Sequence, residues 1–271
     1  MKKLLWIINI AYLFHASLPI PTSLFISPKN FNMKKVLFFC MLIPVLGMSQ
    51  PKNVVNTTRV FPKVDKVLEF EKALAAHSQK YHTGDWKWRV YEIMSGPDAG
   101  GYLISEGPSS WEQIDGRGNL GVEHNTDWNK MVAPNLTDKG SEGYGVFQDT
   151  LSTVMLTDYS DKINITHFVQ KIGWGNKVRE MIANMKPAWQ AGGESVAVYT
   201  ASSSGPAAYT LVTRYKTGLK ERAMTGVKPF KDRYEAIHGV DSYEDFLGIL
   251  RNYVQEQWSE LLSYRADLSS K

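Results

Sequence analysis

Ser95-Gly96-Pro97-Asp98-Ala99-Gly100-Gly101-Tyr102-Leu103 and Ser204-Gly205-Pro206-Ala207-Ala208-Tyr209-Thr210-Leu211 read as two versions of one turn, set 109 residues apart. Glycine and proline punctuate the chain at each. Strand-like runs stand on both sides: Trp86 to Met94 and Gly101 to Glu106 around the first, Ser195 to Ala201 and Tyr209 to Tyr215 around the second. Each echo is therefore expected to be a β-hairpin.

The repeat extends outward from the hairpins. Upstream, Arg59 to Lys63 and His167 to Lys171 read as strand ends, and a helix follows each. Val67, Phe70, Leu74, Ser78 and Tyr81 recur at three- and four-residue spacing, as do Val178, Met181, Ile182, Met185 and Trp189, so each helix has one apolar stripe. Pro187 is expected to end or kink the second. Downstream, Asp241 to Glu244 reads as a capping box opening a helix through Phe246, Leu247, Leu250, Val254 and Trp258, with a last strand in Leu261 to Leu268. The first-half counterparts are a helix at Trp128, Met131 and Val132 and a strand in Tyr144 to Val154. Each half thus reads β-α-β-β-α-β, the ferredoxin-like order. The expected fold class is α+β, as two tandem ferredoxin-like units over residues 50–160 and 161–271, joined near Tyr159 to Lys162.

This element order and the Ser-Gly-Pro…Tyr-x-Leu echo resemble the dimeric α/β-barrel superfamily, including its antibiotic-biosynthesis-monooxygenase-like and NIPSNAP-like members. The resemblance covers most of residues 54–268, and Gly116 to Gly145 and Lys228 to Gly239 depart from it. It implies that the two units pack sheet against sheet as an intramolecular barrel. Haem proteins with a histidine iron ligand occur in that superfamily, which singles out His167, on an expected strand, and His124, beside the glycine-rich segment.

Residues 1–49 read as targeting sequence. Two Met-Lys-Lys starts, at Met1 and Met33, each precede an apolar run. The second has a charged start (Lys34, Lys35), an apolar stretch from Val36 to Met48, and small residues at Gly47 and Ser49 before Gln50, the pattern of a bacterial signal peptide. The expected translation start is Met33 and the expected product is exported, periplasmic or secreted. Pro44 interrupts a run already too short to span a bilayer, so no membrane span is expected in the mature form. Cys40, the only cysteine, falls in the leader, leaving neither disulfide nor thiol chemistry beyond it. Five of the 31 Lys and Arg residues and none of the 27 Asp and Glu residues precede Gln50, so the remainder carries 26 against 27, a net −1. That balance argues against a nucleic-acid partner.

Strand alternation puts Trp86, Trp88, Val90, Glu92 and Met94 on one face, with Tyr102 and Glu106 opposite them across the hairpin. Glu92 is then a carboxylate among large apolar groups, the leading candidate for a general base or acid, with Arg59 or Lys87 as partner if it is structural instead. The equivalent second-half face, Ala197, Tyr199 and Ala201, lacks an acid. Trp88, Tyr102, Tyr199 and Tyr209 are the candidate ligand-binding aromatics. His77, His82, His124, His167 and His238 show no i,i+4 pair, so no metal site is expected. Gly173-Trp174-Gly175-Asn176 is too sparse for a nucleotide loop, and no serine sits in a Gly-x-Ser-x-Gly elbow. No cofactor is expected.

Three functions fit these features. The leading one is binding of a small apolar or aromatic molecule in a barrel cavity. The second is a cofactor-free enzyme of monooxygenase or isomerase type, using Glu92 or a histidine as base. The third is a structural module that binds another protein.

Overall fold

The computed structural model describes residues 50–271. The leader expectation, residues 1–49, lies outside the described residues. Eight strands, all antiparallel to their neighbours, close into one barrel: β1 (Val54–Pro62), β2 (Trp88–Ile93), β3 (Tyr102–Ser109), β4 (Leu136–Phe147), β5 (Lys162–Gln170), β6 (Val196–Ser202), β7 (Ala208–Tyr215) and β8 (Val254–Tyr264). Around the barrel the order is β4-β1-β3-β2 for the first four strands and β8-β5-β7-β6 for the last four. Two seams join these sets. Tyr91–Ile93 pair with Leu262–Tyr264, and Tyr144–Phe147 pair with Tyr199–Ser202. This mixed α/β closed barrel is consistent with a dimeric α/β-barrel architecture.

Both echo segments are hairpins, β2-β3 and β6-β7. The helices between strands lie on the outside. α1 (Val67–Tyr81) lays Phe70 and Leu74 against Val90, Tyr102 and Ile104 of the sheet. On the other half, α4 (Gly175–Ala191), α5 (Phe230–His238) and α6 (Ser242–Tyr253) cover Phe168, Val196, Val198, Tyr209 and Leu211. A third apolar cluster, built on Tyr91, Ile93, Leu103, Ile163, Ile165 and Leu262, lies inside the barrel. No helix among the described residues is long and apolar enough to cross a membrane.

Several expected boundaries are corrected. α4 runs through Pro187 to Ala191, because Met185, Ala188 and Trp189 anchor its last turns in the core. Asp241 makes no cap bond and sits in the left-handed region at φ 68°. The capping box is instead Ser110 with Gln113, at the start of the short α2 (Trp111–Gly116). β4 lies earlier than Tyr144–Val154, at Leu136–Phe147. A short α3 (Val122–Asp127) and a π-helical turn (Trp128–Val132) stand where one helix was expected. α6 stops at Tyr253, so Trp258 belongs to β8, and the chain after Tyr264 continues through a turn along β2. There Arg265 and Ser270 donate backbone bonds to Val90 and Trp88.

Leu74, fully buried between α1 and the sheet, tests this packing. Leu74→Ala is expected to lower unfolding free energy by about 2–5 kcal/mol in urea titrations at an unchanged m-value. A loss below about 0.5 kcal/mol, typical of a surface site, would contradict the placement of α1.

Candidate functional site: the barrel interior

A closed eight-stranded barrel has room inside for packed side chains or one small ligand. Here the inward positions leave a cavity of about 410 Å³. Small residues keep it open: Gly143 and Gly145 on β4, Ala201 on β6 and Ala208 on β7. Apolar walls come from Val55, Leu103, Ile165 and Val212, and aromatic ones from Tyr91, Tyr199 and Trp258.

At one side of the cavity, Glu260 of β8 has a fully buried side chain. Arg59 of β1 reaches it across the interior with two bonds, Nη1 to Oε2 at 2.8 Å and Nη2 to Oε1 at 2.5 Å. The same guanidinium donates to Asp98 in the β2-β3 turn at 2.8 Å. His167 of β5 places Nε2 2.8 Å from Glu260 Oε1, and its ring stacks on Trp258, directly opposite in the register. Burial pushes the Glu260 carboxyl up, but the bonds and charge from Arg59 and His167 outweigh it and hold the group at about 2.

A second cationic group stands on the other side. Arg214 is buried and donates to the carbonyls of Met155 and Leu156, at 2.8 and 3.1 Å, to that of Asp158, and to the Tyr199 hydroxyl at 3.1 Å. Arg89 lies on the face of Tyr159, 3.6 Å from the ring centre, and Arg214 approaches the same ring. Tyr159 is 37% exposed and stands at the cavity mouth. Among the described residues neither arginine has a carboxylate partner. Burial raises the Tyr199 phenol and pushes that of Tyr91 to about 12, so both are neutral donors at ordinary pH.

The structure separates the expected site residues. His167 and Tyr199 face the cavity. Trp88, Tyr102 and Tyr209 face outward and pack under the helices, where Tyr102 donates to Glu71 at 2.6 Å. Glu92 shares the outward face, as alternation requires, but at the strand end its side chain is 44% exposed and pairs with Arg265 at 3.3 Å. The desolvation expected there is absent. The carboxylate buried on that face is Glu106, which accepts from Trp88 Nε1 at 2.8 Å and Arg117 at 2.6 Å. Glu260 was missed because the expected helix ran on through Trp258 and the expected last strand began at Leu261, whereas β8 starts at Val254 and carries Glu260 inward.

His124 is remote from the barrel cavity. It sits on α3 and meets two other histidines, His77 on α1 and His82 just beyond the end of α1. Burial lowers His77 and His82 below the ordinary histidine range, against the opposing pull of Asp127 and Glu106 respectively. Sequence spacing hid this group. His77 and His82 are five residues apart, and the backbone leaves the helix between them, at φ −106° and ψ 83° for His82.

The buried tie carries a pH signature. Because the folded-state value of Glu260 lies below its ordinary 4.5, its contribution is fully present above about pH 4.5 and is lost as pH falls toward 2. Glu260→Gln is expected to cost about 3 kcal/mol at pH 7 and to flatten the fall in stability between pH 4.5 and 2. An unchanged acid limb in the variant, read by urea denaturation at each pH, would remove Glu260 from the account.

No protein-family model matches the chain, and no curated protein matches it in sequence. Solved structures do resemble it. A candidate monooxygenase of Fusobacterium nucleatum is similar at 12% identity, with 78% of this chain and 91% of that one covered and a TM-score of 0.48. A candidate monooxygenase of Lactobacillus acidophilus is similar at 9% identity, covering 80% and 95%, with a TM-score of 0.46. An anthrone oxidase-like protein is similar at 14% identity, covering 79% and 92%, with a TM-score of 0.48. At such identities no residue role passes from those proteins to this one.

Proposed function

We propose that the protein is an exported binder of a small molecule with an apolar or aromatic body and an anionic group, held inside the barrel. In this reading residues 33–49 are the signal peptide, and residues 50–160 and 161–271 are two ferredoxin-like units. Their common strand-helix-strand-strand-helix-strand order and matching strand orders support that division. One observation carries the ligand: an apolar, aromatic-walled cavity of about 410 Å³ with Arg89 and Arg214 lining it without a carboxylate partner. The volume lies within the common range for small-molecule sites, and a cation in such surroundings favours an anion.

A pair of fluorescent probes tests this. 8-Anilinonaphthalene-1-sulfonate carries the anion, and N-phenyl-1-naphthylamine has the same rings without it. The sulfonate is expected to bind one per folded chain and more tightly than the amine. Arg89→Met is expected to weaken sulfonate binding about tenfold, or about 1.4 kcal/mol, and to leave the amine unaffected. Equal loss for both probes, or binding by neither, would refute the reading.

One further observation favours proton transfer without a cofactor at the same cavity: His167 lines it while held by Glu260. A carboxylate-oriented imidazole is a competent base. For that reading, oxygen uptake with 1,8-dihydroxyanthrone is expected in the wild type and absent in His167→Gln, with probe binding retained. Uptake no faster than without protein would dismiss it.

A further inference from the structure

His77, His82 and His124 bring one ring nitrogen each to a common point on the helix side of the sheet, away from the barrel cavity. His124 Nε2 lies 3.2 Å from His77 Nε2 and 3.3 Å from His82 Nε2. Tautomers decide what such contacts mean. His77 Nδ1 is 2.8 Å from Asp127 Oδ2, so its proton sits on Nδ1 and Nε2 presents a bare lone pair. His124 Nδ1 faces Asn125 Oδ1 at 3.1 Å, with the same consequence. His82 Nδ1 points toward Glu106 Oε2 at 3.4 Å, too poorly aligned for a hydrogen bond, and is otherwise a buried nitrogen without a partner. The lone pairs of His77 and His124 therefore meet with no proton between them, and His82 offers a third when its proton stands on Nδ1, the side of the Glu106 carboxylate. That repulsive arrangement becomes favourable when a cation stands at the centre.

The two short separations suit a particular class of cation, and all three nitrogens lie within 4.8 Å of one another. Zinc–imidazole bonds of about 2.0–2.1 Å at tetrahedral angles put ligand nitrogens about 3.3 Å apart. The surroundings supply the outer partners such a site uses: Asp127 behind His77 and Glu106 behind His82, in the carboxylate–histidine–metal arrangement. Glu106 is itself fixed by Trp88 and Arg117, and Trp88 stacks on His82 at 3.4 Å. His124 also borders a second cavity of about 400 Å³ that contains Asn56, Arg117 and Asn129 in its wall. We infer that His77, His82 and His124 form a three-histidine site for one divalent zinc-type ion, whose fourth position faces this second cavity. Three protein ligands with one open position is the form in which zinc exchanges water or accepts a small anionic or polar molecule.

The purified full chain, stripped with a chelator and dialysed, is to be titrated with Co²⁺ and separately with Zn²⁺. One Co²⁺ per chain is expected, with the strong visible absorption of four-coordinate cobalt, displaced stoichiometrically by Zn²⁺. Azide added to the cobalt form is expected to shift that band by entering the open position. His124→Ala, which alters the one partly exposed ligand, is expected to abolish the band while keeping the wild-type fold by circular dichroism. Asp127→Asn is expected to retain the band with affinity lowered about 10–100-fold. His238→Ala, outside the cluster, is expected to bind as wild type. Overturning results are no cobalt band in the wild type, an unchanged band in folded His124→Ala, or a band lost in His238→Ala. A band indifferent to azide would overturn the open fourth position.

Discussion

Closing the sheet on itself is the constraint from which the rest of this molecule follows. Once β2 pairs with β8 and β4 with β6, one side of every strand looks into the barrel, and the other lies under helices over much of the sheet, while Thr137–Glu142 of β4 and Gln255–Gln257 of β8 stay exposed. Where helices cover the sheet, period-two alternation then sorts side chains between two enclosed environments rather than between core and water. The outward set is large and apolar and holds the helices. The inward set is mixed, because the interior must accommodate eight rows of side chains in limited space. Small residues on β4, β6 and β7 leave part of that space unfilled.

Charge inside such an enclosure has to be compensated locally. Arg59 and Glu260 achieve this across the barrel, joining β1 to β8, strands that are not neighbours, while His167 and Asp98 occupy the remaining bonding positions of the pair. Arg214 is compensated differently, by carbonyls of the segment linking β4 to β5, which ties that connection against the mouth. Arg89 has only a ring and one long bond to the Gly107 carbonyl, at 3.4 Å. Arg59 is thus neutralised by carboxylates, whereas Arg89 and Arg214 are not, and the proposed anion preference rests on that asymmetry.

Much of the scaffold was legible in the residues. The Ser-Gly-Pro echoes located both hairpins, and the stripes from Phe70 to Ser78 and from Val178 to Trp189 located the two long helices and the faces they bury. Assigning faces to function required more. Aligning the echoes at 109 residues equates Trp88 with Ala197, yet the outward cross-strand pairs are Val90 with Ile104 and Val198 with Leu211, offsets of 108 and 107. A one-residue slip exchanges the two faces of a strand. For that reason Tyr199 faces the cavity while Trp88 packs under a helix. Glu106 gave no local sign of being the buried acid rather than Glu92, since only the arrival of Arg117 and His82 from other elements distinguishes them. The three histidines likewise come together through the docking of α3 on α1, which no spacing within one helix records.

Two cavities thus lie on opposite sides of one sheet, and the account stands on the inner one being where an organic ligand enters. Amide chemical-shift mapping of the ¹⁵N-labelled protein with 8-anilinonaphthalene-1-sulfonate tests this directly. The account predicts that the largest shifts fall on inward positions, including Leu103, Ile165, Tyr199 and Val212. Largest shifts at Trp88, Glu106 and Trp128, on the helix-covered side, would contradict it.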